Sequence, residues 1–421
     1  MGGSLTKPFV ADSWVMSQIF TSSFKNLAWA NLAAQSAEQL SLAATPIVAV
    51  LLLGAGAGEV GLMATAQTLP FLLFSLPLGV LSDRYSRRAL MLWAEGLRGL
   101  ALLCLLILVL TGQVSIWALT LLGFLGALGT VGFSVAAPAL VPALVPPSEL
   151  SRANGRLELA RSTAYAAGPA LAGTLVAWAG ASLAFTLATG LSASALVLLW
   201  RLSEPARPRA VQRHPLQELK DGARFMWQDP QLKVIFKTAV AWNIAWFVLQ
   251  AAYVPYAFKV LGLSAATVGV TLGAFGVGMV TGAVLAPRTT RLVPLGRAIQ
   301  IGPTLSLASS LTMASTLLWP SEWLAVLSYL LIGLGSTTWV ITSTTLRQTV
   351  TPPTMLGRVG AIFLTCNMGA RPLGAALGGL VGARFGESAC IGLSLALFAL
   401  QFSLILRPAI SQLKALPEQA K

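Results

Sequence analysis

The chain has 421 residues, of which 56% are hydrophobic and only 10% are charged. An average soluble domain carries about 25% charged residues, and a soluble fold of this size could not cover its surface with so few. The composition therefore excludes a water-soluble enzyme, a nucleic-acid-binding domain and a disordered scaffold. The net charge of +14, from 28 Lys and Arg against 14 Asp and Glu, reflects how cations are distributed along a polytopic membrane protein and does not indicate a nucleic-acid partner.

Apolar runs, read against charges and Gly or Pro breaks, predict twelve membrane-spanning helices. A span needs roughly 20 mostly apolar residues, and each run reaches about that length. In chain order the predicted spans cover residues 26–53, 60–81, 89–110, 116–139, 157–178, 183–201, 236–258, 266–286, 298–318, 323–346, 358–383 and 388–406. The expected fold class is an all-α polytopic membrane protein.

One long polar stretch, between the sixth and seventh spans, divides the chain into two halves. The expected organisation is an N-terminal tail, a six-helix bundle, a linker with a short amphipathic helix, a second six-helix bundle and a C-terminal tail, covering 1–25, 26–201, 202–235, 236–406 and 407–421. Nearly all Lys and Arg residues lie in the tails and in the loops on the side of the linker. The opposite loops carry only Lys259 and Arg384. The positive-inside rule therefore predicts that both termini and the linker are cytoplasmic.

The two halves resemble each other in sequence. Residues 146–152 align with 352–358, and residues 168–173 align with 374–379, both at an offset of 206 residues; Gly180 and Gly386 share that offset. A single offset for separate segments indicates a duplication with both halves in the same orientation. Parallel six-span repeats are the architecture of a rocker-switch transporter, in which two bundles enclose a cavity that opens alternately to each side.

A specific motif follows the second span. It reads Gly79-Val80-Leu81-Ser82-Asp83-Arg84-Tyr85-Ser86-Arg87-Arg88, which resembles the signature loop G-x-L-x-D-R-x-x-R-R of the major facilitator superfamily. The glycine would allow two helices to approach closely, and the arginines would bind carboxylates and lipid headgroups. The resemblance implies two parallel six-helix bundles and a latch against the start of the eleventh span when the cytoplasmic side is closed. The latch residues it implies are Gly79, Asp83, Arg84, Arg87, Arg88 and Arg358.

Further segments resemble the enterobactin-exporter and macrolide-efflux branch of that superfamily, including residues 24–27, 35–38, 142–146, 214–216, 222–225 and 355–358. Gly168, Pro169 and Gly173 also resemble the fifth-helix signature of drug–proton antiporters, although Ala172 replaces one of its final glycines. Small residues there would allow close helix packing. The branch implies a proton-driven efflux transporter of the bacterial inner membrane, with siderophores or amphipathic antibiotics as cargo. A monomer is expected, and a partnership with an outer-membrane channel stays open.

Proton coupling would require a carboxylate within the spans, because the only histidine, His214, lies in the linker. A charge in the bilayer core is costly unless it is paired or hydrated, so each such residue is a functional candidate. Glu38, near the middle of the first span, is the first choice for proton coupling, and Glu158 is the second. The alternative for Glu38 is a structural role with hydrogen bonds to Gln35 or Gln39. Intrahelical ion pairs are expected at Glu95–Arg98 and Glu158–Arg161, which are three residues apart.

The predicted substrate cavity contains one further charge. Arg371, near the middle of the eleventh span, is suited to an anionic cargo or to holding Glu38 when no cargo is bound. Trp242, Asn243 and Trp246 are candidates for the cavity wall, and interfacial anchoring is the alternative for the tryptophans. Trp339 lies in a hydroxyl-rich run of the tenth span, which forms either a polar cavity wall or an interhelical hydrogen-bonding surface.

The sequence has no motif for a chemical reaction. One histidine and three cysteines without ligand spacing indicate no metal site, and the lack of any Gly-Lys pair excludes a Walker A loop. No enzyme activity and no cofactor are therefore expected. The leading hypothesis is a proton-coupled exporter of a small organic molecule. The alternatives are an importer or facilitator of a small metabolite and a membrane scaffold or sensor that transports nothing.

Overall fold

The computed structural model describes residues 21–146, 149–205, 215–352 and 355–414, and within them it contains helices and no strand. The helices are α1 (Ser22–Leu53), α2 (Ala57–Arg84), α3 (Arg87–Leu110), α4 (Ile116–Leu144), α5 (Leu150–Ala179), α6 (Ala181–Trp200), α7 (Pro215–Gln228), α8 (Pro230–Lys259), α9 (Ala265–Leu292), α10 (Leu295–Ser315), α11 (Glu322–Val350), α12 (Leu356–Phe385), α13 (Glu387–Ile405) and α14 (Pro408–Ser411). Of these described helices, α7 and α14 are short, and the other twelve correspond in order to the twelve predicted spans.

Eight of the described helices are long and apolar enough to cross a bilayer: α1, α3, α4, α6, α8, α9, α11 and α13. Several helices extend beyond the predicted spans because polar caps set their ends. α8, for example, begins at Pro230 and not at residue 236. The Asp229 carboxylate accepts hydrogen bonds from the N–H groups of Gln231 and Leu232, at 2.9 and 2.8 Å, and proline is well suited to the first helical position.

The sequence repeat has a direct structural counterpart at Gly180 and Gly386. Each glycine both ends one helix and precedes the next, with φ, ψ of 79°, 177° at Gly180 and 83°, 171° at Gly386. A side chain disfavours this positive-φ conformation, so glycine is needed at both turns. α5–α6 and α12–α13 are therefore equivalent helix pairs in the two halves.

The helices α1–α6 pack as one bundle and α8–α13 pack as the other. The two bundles meet mainly where α2 packs on α12 and where α5 packs on α9. The second helix of each half thus contacts the fifth helix of the other half, as an approximate twofold axis between parallel repeats requires. We call the face that carries α7 the linker side, and the other face the opposite side.

Candidate functional site

A buried cluster of charges joins α1 to α3 inside the first half. The guanidinium of Arg98 pairs with the Glu95 carboxylate, and its Nη1 lies 3.7 Å from Oε2 of Glu38. Ser192 of α6 donates to Glu95 Oε1 at 2.5 Å, and Arg98 donates to Thr130 of α4 at 3.3 Å. We call Glu38, Glu95 and Arg98 the central charge cluster. It fixes four helices around one guanidinium.

The members of the central charge cluster differ in their access to solvent. Glu95 is fully buried, and the side chain of Arg98 is 4% exposed, whereas that of Glu38 is 13% exposed. Glu38 is therefore the most accessible of the three side chains. The expected Glu95–Arg98 pair forms, but its extension to Glu38 was not expected from the sequence.

Arg371 lies where the two halves meet. Its Nε donates to Oδ1 of Asn243 at 3.4 Å, and its guanidinium carbon is 6.0 Å from the ring centre of Phe71 and 5.7 Å from that of Phe247. Phe71 is on α2 of the first half, and Phe247 is on α8 of the second. Within the described residues Arg371 forms no ion pair, so in this conformation Glu38 is held by Arg98 and not by Arg371.

The candidate tryptophans belong to an aromatic stack inside the second half. The rings of Trp242 and Trp246 stack at 5.8 Å, and Trp246 stacks on Phe275 at 4.9 Å. Trp242 also donates from Nε1 to Ser306 Oγ at 3.1 Å. This packing differs from interfacial anchoring, in which the rings would lie at the bilayer surface.

Trp246 and Trp339 are buried, and a Cβ placed on Gly302 would lie only 2.6 Å from the Cβ of Trp339. Both side chains are packed against protein in this conformation, and their place in a cavity wall stays a prediction. Asn243 is also buried, with its amide donating to the Ala239 carbonyl at 3.0 Å, and it reaches the interface between the halves through Arg371.

Glu158 occupies a different environment from Glu38. It pairs with Arg161 at 2.6 Å, and the two side chains are 57% and 41% exposed. The guanidinium of Arg161 lies 5.5 Å from the ring of Tyr165. Solvent screens the charges of such an exposed pair, so Glu158 is less suited than Glu38 to drive a conformational change.

The signature loop binds helix ends within the first half. Arg87 donates to the Ala139 carbonyl of α4, and Arg88 donates to the carbonyls of Leu199 and Trp200 at 3.1 and 2.6 Å. Arg88 therefore binds the C-terminal end of α6, where a cation is favourable because the last carbonyls of a helix have no partner within it. The Glu204 carboxylate accepts from the backbone N–H of Arg88 at 2.9 Å.

The latch itself is only partly described. The side chains of Asp83 and Arg84 lie outside the described residues. Arg358 Nη1 lies 3.6 Å from Oδ2 of Asp221, which is on the linker helix α7. A Cβ on Gly79 would have no described atom within 4 Å. The close helix approach predicted at Gly79 is therefore not formed with any described residue in this conformation.

The two halves are in close contact on the opposite side. A Cβ on Gly61 of α2 would lie 2.3 Å from the Cα of Gly379 on α12, and one on Gly173 of α5 would lie 2.6 Å from the Cα of Gly269 on α9. At the linker-side end of α12, a Cβ on Gly360 would meet no described atom within 4 Å. α2 and α12 therefore cross tightly on the opposite side, whereas no described atom packs against Gly360 at the linker-side end of α12. The halves are closed on the opposite side.

The predicted fifth-helix motif takes part in this packing. A Cβ on Gly168 would lie 2.6 Å from the Cβ of Gln39 on α1, and the Pro169 carbonyl lies against Gly269. Gly168 thus brings α5 onto α1, while Pro169 and Gly173 bring it onto α9.

A polar contact between the halves closes the opposite side. The carboxylate of Glu387, the first residue of α13, lies beside the start of α2, because a Cβ on Gly56 would be 3.6 Å from its Oε1 and 3.3 Å from Lys259 Nζ. Lys259 Nζ donates to Glu387 Oε1 at 3.1 Å. In the sequence Lys259 stood out only as one of two cations in the opposite loops, and its pairing with a distant glutamate had no local signal.

Residues 27–375 match the family described as Major Facilitator Superfamily. The chain belongs to the major facilitator superfamily. The enterobactin exporter EntS of Citrobacter koseri is 28% identical over 333 residues, 77% of each chain. EntS of Escherichia coli O1:K1 / APEC is 28% identical over 315 residues, 72% of each chain. The solved structure of a bacterial homologue of the iron transporter ferroportin, in an inward-facing state, aligns with a TM-score of 0.73 at 18% identity and covers 92% of this chain and 98% of that one.

Membership of this superfamily confirms the predicted fold class, with two parallel six-helix bundles, and the resemblance to the enterobactin-exporter branch. The superfamily consists of membrane transporters and not of enzymes. The protein is therefore a multi-pass inner-membrane transporter with a small-molecule substrate. Among the described residues, no group of three or more His, Cys, Asp or Glu side chains is placed to hold a metal ion.

Proposed function

We propose that this transporter exports a small organic molecule, a siderophore or an amphipathic drug, in exchange for protons. The observation that carries the proposal is the central charge cluster, which holds a carboxylate next to the interface between the halves. Similarity to enterobactin exporters over 77% of the chain supports export and an organic cargo. The superfamily as a whole leaves the direction open.

The charges of the cluster explain why Glu38 is suited to carry a proton. One guanidinium faces two carboxylates, so the cluster has a charge of −1 when both are ionised and is neutral when one is protonated. Glu95 accepts hydrogen bonds from both Arg98 and Ser192, so its carboxylate is fully engaged within the first half. Glu38 has the longer contact with Arg98 and the greater exposure, so it is the site where a proton can bind and leave. An excess charge in the bilayer core is costly, so the proton affects which conformation is favoured.

Exchange requires that the proton and the cargo compete. A hydroxyl donor on the cargo binds an ionised carboxylate more strongly than a protonated one, because the hydrogen bond is charge-assisted. At Glu38 a bound proton would therefore exclude a cargo that carries such donors, and the bound cargo would exclude the proton. Alternating access then carries the cargo one way and the proton the other.

Arg371 would bind an anionic or strongly accepting group on the cargo. Its guanidinium has few competing partners, and the flanking rings of Phe71 and Phe247 limit access by water. Binding of a matched pair of anionic and cationic dyes to the Arg371→Ala variant tests this role. We expect loss of anionic dye binding with cationic dye binding retained, and an equal effect on both dyes would exclude charge recognition.

In this proposal the linker side faces the cytoplasm, because nearly all Lys and Arg residues lie there. The conformation described above is then open towards the cytoplasm, where it can receive cargo. The transporter would work as a monomer, and any outer-membrane channel would act after release into the periplasm. Reporter fusions to both termini test the orientation, and termini on opposite faces would contradict it.

The deciding experiment uses everted membrane vesicles with an acidic lumen and enterobactin as the cargo. Antiport predicts that enterobactin enters the vesicles and that protons leave, which a pH-sensitive dye reports. Glu38→Gln should abolish both concentrative uptake and proton release but retain exchange of labelled for unlabelled cargo. Glu322→Gln, at an exposed acid in the first turn of α11, is the matched control and should behave as the parent.

Other outcomes would identify the alternatives. Uptake only into right-side-out vesicles would indicate an importer, and equilibration without proton movement would indicate a facilitator. If no tested organic cargo moved in either orientation, a scaffold or sensor would be favoured. Proton release that survives Glu38→Gln but not Glu158→Gln would transfer the coupling role to Glu158.

A further inference from the structure

A small cavity lies on the linker side, away from the interface between the halves. Its volume is about 270 Å³, and it opens where α8 begins and α13 ends. Three cations line it: Lys233 and Lys237 from α8, and Arg407 from the turn before α14. Its apolar wall includes Val234 and Leu404. The cavity therefore combines a cationic mouth with an apolar floor.

The cations of this cavity lack compensation by acidic groups. Lys233 and Lys237 are one helical turn apart, a spacing at which like charges repel. Among the described residues no carboxylate lines the cavity and none of the three cations forms an ion pair. The nearest acid in sequence, Asp229, uses its carboxylate to cap α8. An anion held between the three side chains would relieve this repulsion.

The position of the cavity indicates which anion fits. It lies at the ends of two bilayer-crossing helices, beside Trp227, whose half-exposed ring is 5.5 Å from Lys233 Nζ and 5.8 Å from Lys237 Nζ. Tryptophan at this level is typical of the membrane–water interface. Basic pockets between spans on the side with most positive charge are suited to anionic lipid headgroups.

We propose that this cavity binds the phosphate of an anionic phospholipid headgroup. The ammonium groups and the Arg407 guanidinium contact the phosphate, and the apolar floor takes the glycerol and the first acyl carbons. A bound lipid would hold α8 to the end of α13, because its phosphate contacts side chains from both. The site does not depend on which cargo the transporter moves.

The test is native mass spectrometry of the full-length protein in detergent, titrated with phosphatidylglycerol or with phosphatidylcholine. The parent should retain phosphatidylglycerol selectively. The double variant Lys233→Gln/Lys237→Gln should bind it about 30-fold more weakly, since each cation near a membrane surface contributes roughly a fivefold change. Lys220→Gln/Arg297→Gln removes two exposed cations from the same side and should bind as the parent.

Arg407→Gln provides a second variant that leaves α8 intact, because Arg407 is exposed at a helix end. It should weaken binding about fivefold. Equal lipid binding by the parent and both cavity variants would overturn the proposal. Displacement of the lipid by an equal concentration of inorganic phosphate would also overturn it, because the site would then recognise a free anion.

Discussion

Substitution of Gly61 by alanine tests the closed contact between the halves. A Cβ at Gly61 would lie 2.3 Å from the Cα of Gly379, 2.7 Å from its N and 2.9 Å from the carbonyl oxygen of Ala375. All three are backbone atoms, so no side chain can rotate away and the helices must separate. Overpacking of this kind costs about 1–3 kcal/mol, which corresponds to a shift of roughly 5- to 150-fold towards the conformation that is open on the opposite side.

A thiol-labelling assay measures this shift. Ala265, buried where α5 meets α9, is replaced by cysteine in a background without Cys104, Cys366 and Cys390, and a membrane-impermeant maleimide is applied from the opposite side. Gly61→Ala should accelerate labelling of this cysteine by roughly 5- to 150-fold.

Gly190→Ala is the matched control, because a Cβ there would have no described atom within 4 Å and the gain in helix propensity is the same. If Gly61→Ala were labelled at the rate of the control, the α2–α12 crossing would not govern access, and the reasoning from glycine packing would be refuted.

Three further perturbations address other parts of the molecule. Arg98→Gln leaves the fully buried Glu95 without its counter-ion, so the free energy of unfolding should fall by about 3–5 kcal/mol; an unchanged unfolding temperature in detergent would argue against this pairing. Glu387→Gln removes the charged partner of Lys259 beside Gly56 at the start of α2, so labelling from the opposite side should increase, and unchanged or slower labelling would contradict this. Gly222→Ala should detach α7 more than Asp221→Asn does. A Cβ at Gly222 would lie 2.8 Å from the backbone of Arg358, whereas the half-exposed ion pair between Asp221 and Arg358 contributes about 0–1 kcal/mol. Hydrogen exchange of residues 215–228 measures the detachment in both variants, and a larger effect of Asp221→Asn would be inconsistent with the packing.

The helices and the repeat were predictable because their causes are local. An apolar run of sufficient length has to form a helix in a bilayer, where every backbone group needs an internal partner. The equivalence of Gly180 and Gly386 was also visible, since both turns need the same residue. The early start of α8 had a readable signal in Asp229-Pro230, a cap followed by a proline. There, the cap was a better guide to the helix end than hydropathy.

The central charge cluster could be predicted only in part. Glu95 and Arg98 are three residues apart, so their pairing follows from helix geometry. The contact of Arg98 with Glu38 joins two helices, and its formation depends on how each helix is rotated. A helix that is apolar around most of its circumference carries little information about that rotation. For the same reason, Trp246 and Trp339 could be placed on helices but not assigned to a cavity wall or to the interior of a half.

The division of charges between the halves indicates where proton coupling arises. A bound proton can shift a conformational equilibrium only if its binding energy differs between the two conformations. The contact between Glu38 and Arg98 lies within one half, so a rocking motion of rigid halves leaves it unchanged. Arg371 belongs to the other half, so its distance from Glu38 changes with the motion. With a cationic cargo, whose binding does not need Arg371, Arg371→Ala should therefore uncouple proton release from cargo uptake in everted vesicles while Glu38 is intact, and coupling retained in that variant would place the conformation-dependent interaction elsewhere.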